Sequence, residues 1–283
     1  MSVLEQAASW DAPSVGIAVV GGRRSGGPSG PAGPVEELDR YGGVDLVLPI
    51  ASVTKVLVAY AVMVAVEEEA ITLDEPAGPP GATVRHLLAH AAGYAFESGS
   101  AVIARPGSRR IYSNQGFDVL AAHLEERTGI AMATYLDEAV LAPLGMRASE
   151  LVGSAGSGVR SCVADLALFA TELISPTLLH PETLAELTRI QFPGLPGVLP
   201  GHGRYDPLDW GLGVERNFGR PGHWAGTRIS PESFGHFGAH GTFVWVDPTR
   251  ALGCVCVSGR DFGPWARQAW PQLCDDVVDS CGR

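Results

Sequence analysis

Apolar residues fill the stretch from Val56 to Val66 without interruption. Such a run is too short to cross a bilayer and suits a helix buried on most sides. The pattern predicts a helix from Ser52 to about Glu68, closed by the solvated acids Glu67, Glu68 and Glu69. Shorter, β-branched apolar runs predict strands at Ser14–Val20, Gly211–Glu215, Gly235–Gly238, Thr242–Val246 and Ala251–Ser258. Val44 to Ile50 is a further apolar run, stopped by Pro49. Helical periodicity covers Thr83–His90, Asn114–Thr128, Ala131–Val140, Val163–Ile174 and Pro181–Ile190, and a last helix runs from about Pro264 to Val278. Thr83 and Ser161 are the expected caps and Gly129 the expected stop. Gly21–Pro34 and Gln191–Pro207 are rich in Gly and Pro and are expected to be loops. Strands near both ends with helices between them imply an α/β layer assembled from the two chain ends, with a helical subdomain inserted in the middle.

A chain of 283 residues with 46% hydrophobic and 18% charged positions has material for a sizeable core. Its net charge of −11 argues against nucleic acid and against an anionic membrane surface as partners. Met1–Trp10 carries no basic start and no apolar signal core, so the expected location is cytoplasmic. Cys162, Cys254, Cys256, Cys274 and Cys281 are odd in number and irregular in spacing. Cys254 and Cys256, two apart in a strand, share one face and cannot bond each other without distortion. The expectation is reduced thiols, mostly buried, with Cys281 exposed.

Lys55 is the only lysine, and the other 19 basic residues are arginine. Arginine does not give up its proton in a protein, whereas a desolvated lysine does so near neutral pH and then acts as a base. Ser52 lies three residues earlier, on the same face of the predicted helix, where such a base would activate its hydroxyl. The helix start would add free N–H groups beside any oxyanion formed there. Tyr112-Ser113-Asn114 sets a phenol and a carboxamide two residues apart, suited to relaying a proton and to orienting Lys55 and a substrate carbonyl; taken alone, the tripeptide reads first as a turn tyrosine with a helix-capping asparagine. Gly235-His236-Phe237-Gly238, followed by Gly241-Thr242, is a small-residue strand edge that substrate backbone can approach. His236 would present a polar or cationic group beside the pocket, and the backbone N–H of Ala239 would join that of Ser52 as an oxyanion donor. A Gly-rich turn before a hairpin explains those residues as well. His86 and His90 have the i, i+4 spacing of a zinc pair, but no glutamate follows His86, and no metal is expected. His202, His223 and His240 receive no role.

The order S-x-x-K, Y-x-N, H-x-G resembles the serine β-lactamase and penicillin-binding-protein superfamily, in particular the branch of class C β-lactamases, family VIII esterases and D-stereospecific peptidases. Pro49-Ile50-Ala51-Ser52-Val53-Thr54-Lys55 is similar to that family's nucleophile segment. Leu73-Asp74-Glu75-Pro76, Val84 to Gly93, Pro106-Gly107, Pro143 to Met146, Ser161 to Leu166 and Trp245 to Pro248 also fit, so the resemblance spans most of residues 14 to 260.

The resemblance implies a single β-lactamase-like domain over 1–283. Its fold would be α/β (α+β), an antiparallel sheet built from both chain ends with flanking helices. Residues 1–50 and 191–283 would form the α/β layer and 51–190 the helical subdomain. It implies Ser52 as acylated nucleophile, Lys55 as its base partner, Tyr112 as shuttling acid/base and Asn114 as orienting amide, with His236 and Gly238 in the third motif. No cofactor is expected. The implied activity is hydrolysis of a small-molecule ester or amide. A D-Ala-D-Ala-type peptidase, a β-lactamase or a transacylase would use the same residues, and a catalytically silent binding or regulatory homologue is the alternative of another class. His236 stands where typical β-lactamases of the family have lysine, which turns the expectation away from antibiotics. Only 18 residues separate Gly93 from Tyr112, so the pocket rim should be pared back.

Overall fold

The computed structural model describes residues 2–22, 33–97, 99–199, 203–216 and 218–282. Most of the expected Gly21–Pro34 loop, and His202, lie outside these described residues. In chain order the elements are β1 (Val15–Gly21), β2 (Glu36–Gly42), β3 (Leu48–Pro49), α1 (Thr54–Glu67), α2 (Val84–Leu88), β4 (Arg110–Ile111), α3 (Asn114–Thr128), α4 (Met132–Leu136), α5 (Ala142–Leu144), β5 (Glu150–Leu151), β6 (Val159–Ser161), α6 (Val163–Ile174), α7 (Pro181–Thr188), β7 (Gly197–Leu199), β8 (Gly203–Tyr205), β9 (Phe234–Gly238), β10 (Thr242–Asp247), β11 (Leu252–Ser258) and α8 (Pro264–Cys281). Short 3-10 turns at Val3–Ser9 and Ala51–Val53 precede β1 and α1.

Among the described residues the main sheet has the order β2–β1–β11–β10–β9, every pairing antiparallel. Its central strands read as unbroken apolar runs because both faces are covered. Side chains alternate across a strand. Ala18, Val20, Val244, Val246, Val255 and Val257 join the core of α1 and α6. Ile17, Val19, Phe243, Trp245, Cys254 and Cys256 enter a second core with α8 and the first 3-10 turn. All five cysteines are free; Cys162, Cys254, Cys256 and Cys274 are buried, and Cys281 is half-buried.

Several elements depart from the sequence pattern, each for a local reason. β2 reads Glu-Glu-Leu-Asp-Arg-Tyr-Gly and gives no apolar signal, because it is the exposed edge strand, where charge discourages further pairing. Gly211–Glu215 is a turn rather than a strand. Gly213 sits at φ 76°, and a Cβ there would lie 2.3 Å from the Cβ of Ala59 on α1. The expected Gln191–Pro207 loop folds β7 and β8 into a small sheet with β4, in which β4 and β7 run parallel. Of the Val44–Ile50 run only Leu48–Pro49 pairs, against β6. The Ala131–Val140 helix runs as α4 into a π turn at Asp137–Leu141. Thr83 caps α2 through its side chain, and Gly129 ends α3 at φ 74°. Ser161 is no cap: it lies in β6 and bonds Ser149 through its hydroxyl, leaving Cys162 at the start of α6.

Candidate active site

Ser52 occupies the 3-10 turn that leads into α1, and the preceding residue, Ala51, is held at φ 46°. A non-glycine residue in that region is strained and persists only where its surroundings impose it. They do so here from two sides. Val159 of β6 accepts from the backbone N–H of Ile50 at 3.0 Å, and Thr54 Oγ1 accepts from Val159 N at 3.0 Å. On the other side Thr242 Oγ1 donates to Ile50 O at 2.8 Å. Gly238 closes against the same turn: a Cβ there would lie 2.3 Å from Ile50 O and from Thr242 Oγ1. Gly238→Ala is therefore expected to displace the turn that carries Ser52, lowering its labelling by an active-site probe and costing about 1–3 kcal/mol of stability. Active-site titration alongside thermal melts checks this; an unperturbed variant would release Gly238 from that role.

Lys55 is fully buried in the first turn of α1. Its Nζ donates to Asn114 Oδ1 at 2.6 Å and to Gly156 O at 2.6 Å, and stands 3.3 Å from Ser52 Oγ. Once deprotonated, the amine would keep its two N–H bonds on these two acceptors and turn its lone pair toward Ser52. Desolvation lowers its pKa to about 7 against the opposing pull of Asp118. Asn114 is available for this contact because Ser113 takes the cap of α3, accepting from Gly116 N at 3.1 Å.

Tyr112 is buried beside Ser52, with its ring 4.6 Å from Lys55 Nζ. Burial pushes its phenol well above the usual range, against a hydrogen bond with Ser52. Its hydroxyl meets His236 Nε2 at 3.1 Å. His236 Nδ1 lies 2.6 Å from Phe237 O, which only accepts, so Nδ1 carries the ring proton and Nε2 accepts from Tyr112. Burial, with the nearby Lys55, holds His236 down to about 3. The ring is thus a neutral acceptor rather than the cation considered above.

The structure therefore brings Ser52, Lys55, Tyr112, Asn114 and His236 together in one hydrogen-bonded cluster. Gly238 braces its floor, and Ala239 lines the same cavity of about 140 Å³ as Ser52. Phe96, Leu199, Phe237 and Phe262 make the rest of that wall apolar.

Other residues that build the site were given no role in it by the sequence. Gly156 contributes only a carbonyl. Arg110, just before Tyr112, is buried and donates to the backbone carbonyls of Leu208 (2.7 Å), Gln191 (2.8 Å) and Ala89, pinning three loops to β4. His90 lies past the end of α2 at φ 56°, so it shares no helical face with His86. Its Nδ1 accepts from Ser113 N at 3.2 Å, and its ring packs on Tyr112 and Trp210. Behind His236 lies buried Glu215, whose pKa burial would raise. His223 and Trp224 Nε1, the latter donating at 2.9 Å, outweigh that and hold it at about 2. His240 is exposed and pairs with Asp261. No helix among the described residues is long and apolar enough to cross a membrane.

The family model described as Beta-lactamase matches residues 5–278. No curated protein matches the chain. Among solved structures, a β-lactamase from Mycobacterium bovis is 46% identical, with all of both chains covered and a TM-score of 0.92. A D-stereospecific amidohydrolase from Streptomyces sp. is 17% identical, covering 99% of this chain and 97% of that one at a TM-score of 0.70. EstCE1, a hydrolase with promiscuous acyltransferase activity, is 18% identical, with 98% and 96% covered and a TM-score of 0.73.

Proposed function

The chain belongs to the β-lactamase family, and from that premise we propose that it is a serine hydrolase that forms an acyl-enzyme on Ser52 and cleaves small esters or amides. The observation that carries this reading is the position of buried Lys55 Nζ, 3.3 Å from Ser52 Oγ and fixed there by short donations to Asn114 Oδ1 and Gly156 O. Lys55 takes the Ser52 proton as Oγ attacks the carbonyl. The backbone N–H groups of Ser52 and Ala239 hold the oxyanion. Tyr112 gives its proton to the leaving atom and recovers one from the Lys55–Ser52 pair. His236 orients the phenol, and buried Glu215 stabilises any positive charge reaching that ring. Water then repeats the sequence in reverse to free Ser52.

The neutral, buried His236 offers no point charge for a substrate carboxylate at the third motif, which favours esters and amides over β-lactams. The relative described as a β-lactamase supports the second reading, turnover of β-lactams by the same residues. A fluorophosphonate probe tests the chemistry: labelling of Ser52, absent in Ser52→Ala, is expected, and an unlabelled wild-type protein would favour a silent homologue. Turnover of p-nitrophenyl esters against nitrocefin separates the two substrate readings.

The pH dependence follows from Lys55. Its amine is the base only when deprotonated, so kcat/KM should climb about tenfold per pH unit below about 7 and level off above it. His236 and Tyr112 titrate far outside that window and add no second limb there. A profile flat through neutrality would exclude Lys55 as the base.

A further inference from the structure

A larger groove lies next to the pocket around Ser52. Phe96 and Tyr112 line both, and the groove holds about 450 Å³ against about 140 Å³ for the pocket. Its walls come from the loop before β4, from β4 and from the β7–β8 hairpin. Phe96, Ile103 and Val198 are large apolar side chains left 38%, 55% and 49% exposed, and all three face this groove. Arg109 and Arg204 line it as well, and neither forms an ion pair among the described residues. In a chain with net charge −11, two arginines with no ion pair among the described residues, beside an apolar trough, mark a place for an anion at the end of an apolar chain.

Resting on the reading of Ser52 as nucleophile, we propose that the substrates are esters with a short acyl group and a long apolar alcohol portion ending in a carboxylate. Tyr112, the proton donor to the leaving atom, stands in the wall shared by pocket and groove. The alcohol portion therefore leaves along the groove, with its carboxylate at Arg109 and Arg204. The acyl portion is left with the small pocket under Leu199, Phe237 and Phe262. The acyl C–O bond breaks, the departing oxygen takes the Tyr112 proton, and the ω-hydroxycarboxylate is released. Water then cleaves the Ser52 ester to give the short acid.

The test uses acetate esters of straight-chain ω-hydroxycarboxylic acids of increasing length, each paired with its terminal carboxamide. In the wild-type protein kcat/KM should rise with length, and the carboxylate should come to exceed the carboxamide by roughly fivefold, the worth of one or two exposed ion pairs. That ratio should fall to about one in Arg109→Gln/Arg204→Gln and at high salt. A ratio of one at every length in the wild type, or a ratio that survives in the double variant, overturns the proposal. Failure of the underlying chemistry is read separately, by fluorophosphonate labelling and p-nitrophenyl acetate turnover. If both are absent, calorimetry of the same pairs on Ser52→Ala decides the groove alone: tighter binding of the carboxylate upholds it, and equal binding refutes it.

Discussion

Lys55→Arg is expected to lose acylation of Ser52 by about a thousandfold or more, the scale of a removed general base. The substitution keeps the positive charge and removes the lone pair. The cavity around Nζ offers Asn114 Oδ1, Gly156 O and Ser52 Oγ, too few acceptors for a guanidinium with five N–H bonds. Because a misfit there can also unfold the chain, Lys55→Met serves as the partner variant. It is close to lysine in length and places no charge in a fully buried site; it should still fold, melting lower because Asn114 Oδ1 and Gly156 O lose their donor, and should be equally unreactive. Single-turnover labelling of Ser52 reads both. Acylation by the arginine variant at more than a few per cent of the wild-type rate would reduce Lys55 to an electrostatic role.

Tyr112→Phe should slow turnover by about a hundredfold or more while leaving the fold largely intact. The ring keeps its packing on His90, Phe96 and Trp210. What is lost is the hydroxyl, and with it the partner of His236 Nε2. That orphaned buried acceptor costs about 1–3 kcal/mol. Rapid-mixing kinetics should show the greater loss for substrates with poor leaving groups, since those need the proton most. Equal losses for good and poor leaving groups would take Tyr112 out of the proton path.

Legibility in the sequence followed where the information resides. The strands β1, β10 and β11 stood out because a sheet covered on both faces demands apolar residues at successive positions. β2 did not, since an exposed edge strand looks like any polar segment. The two- and three-residue strands β3 to β8 leave too few positions for a period to show. In the site, Ser52, Lys55, Tyr112, Asn114 and His236, which the structure brings together, were legible because they carry functional groups that few other residues have. Gly156 was not, because every residue owns a carbonyl. Arg110 was silent for a related reason: its three acceptors come from backbone at residues 89, 191 and 208, and no local spacing encodes them. The sequence left His236 as either polar or cationic, because it shows the imidazole and hides the burial that favours the neutral ring.

The strand order also sets a timetable for synthesis. β1 is made well before β11, beside which it lies, and the brace on the Ser52 turn arrives with Gly238 and Thr242. Until those late residues have been translated, the serine and its amine are present on a nascent chain without the surface that holds Ala51 in its strained conformation. Such long-range closure is slow and leaves apolar strand exposed meanwhile. The geometry around Ser52 and Lys55 is therefore complete only once the strands that carry Gly238 and Thr242 have docked.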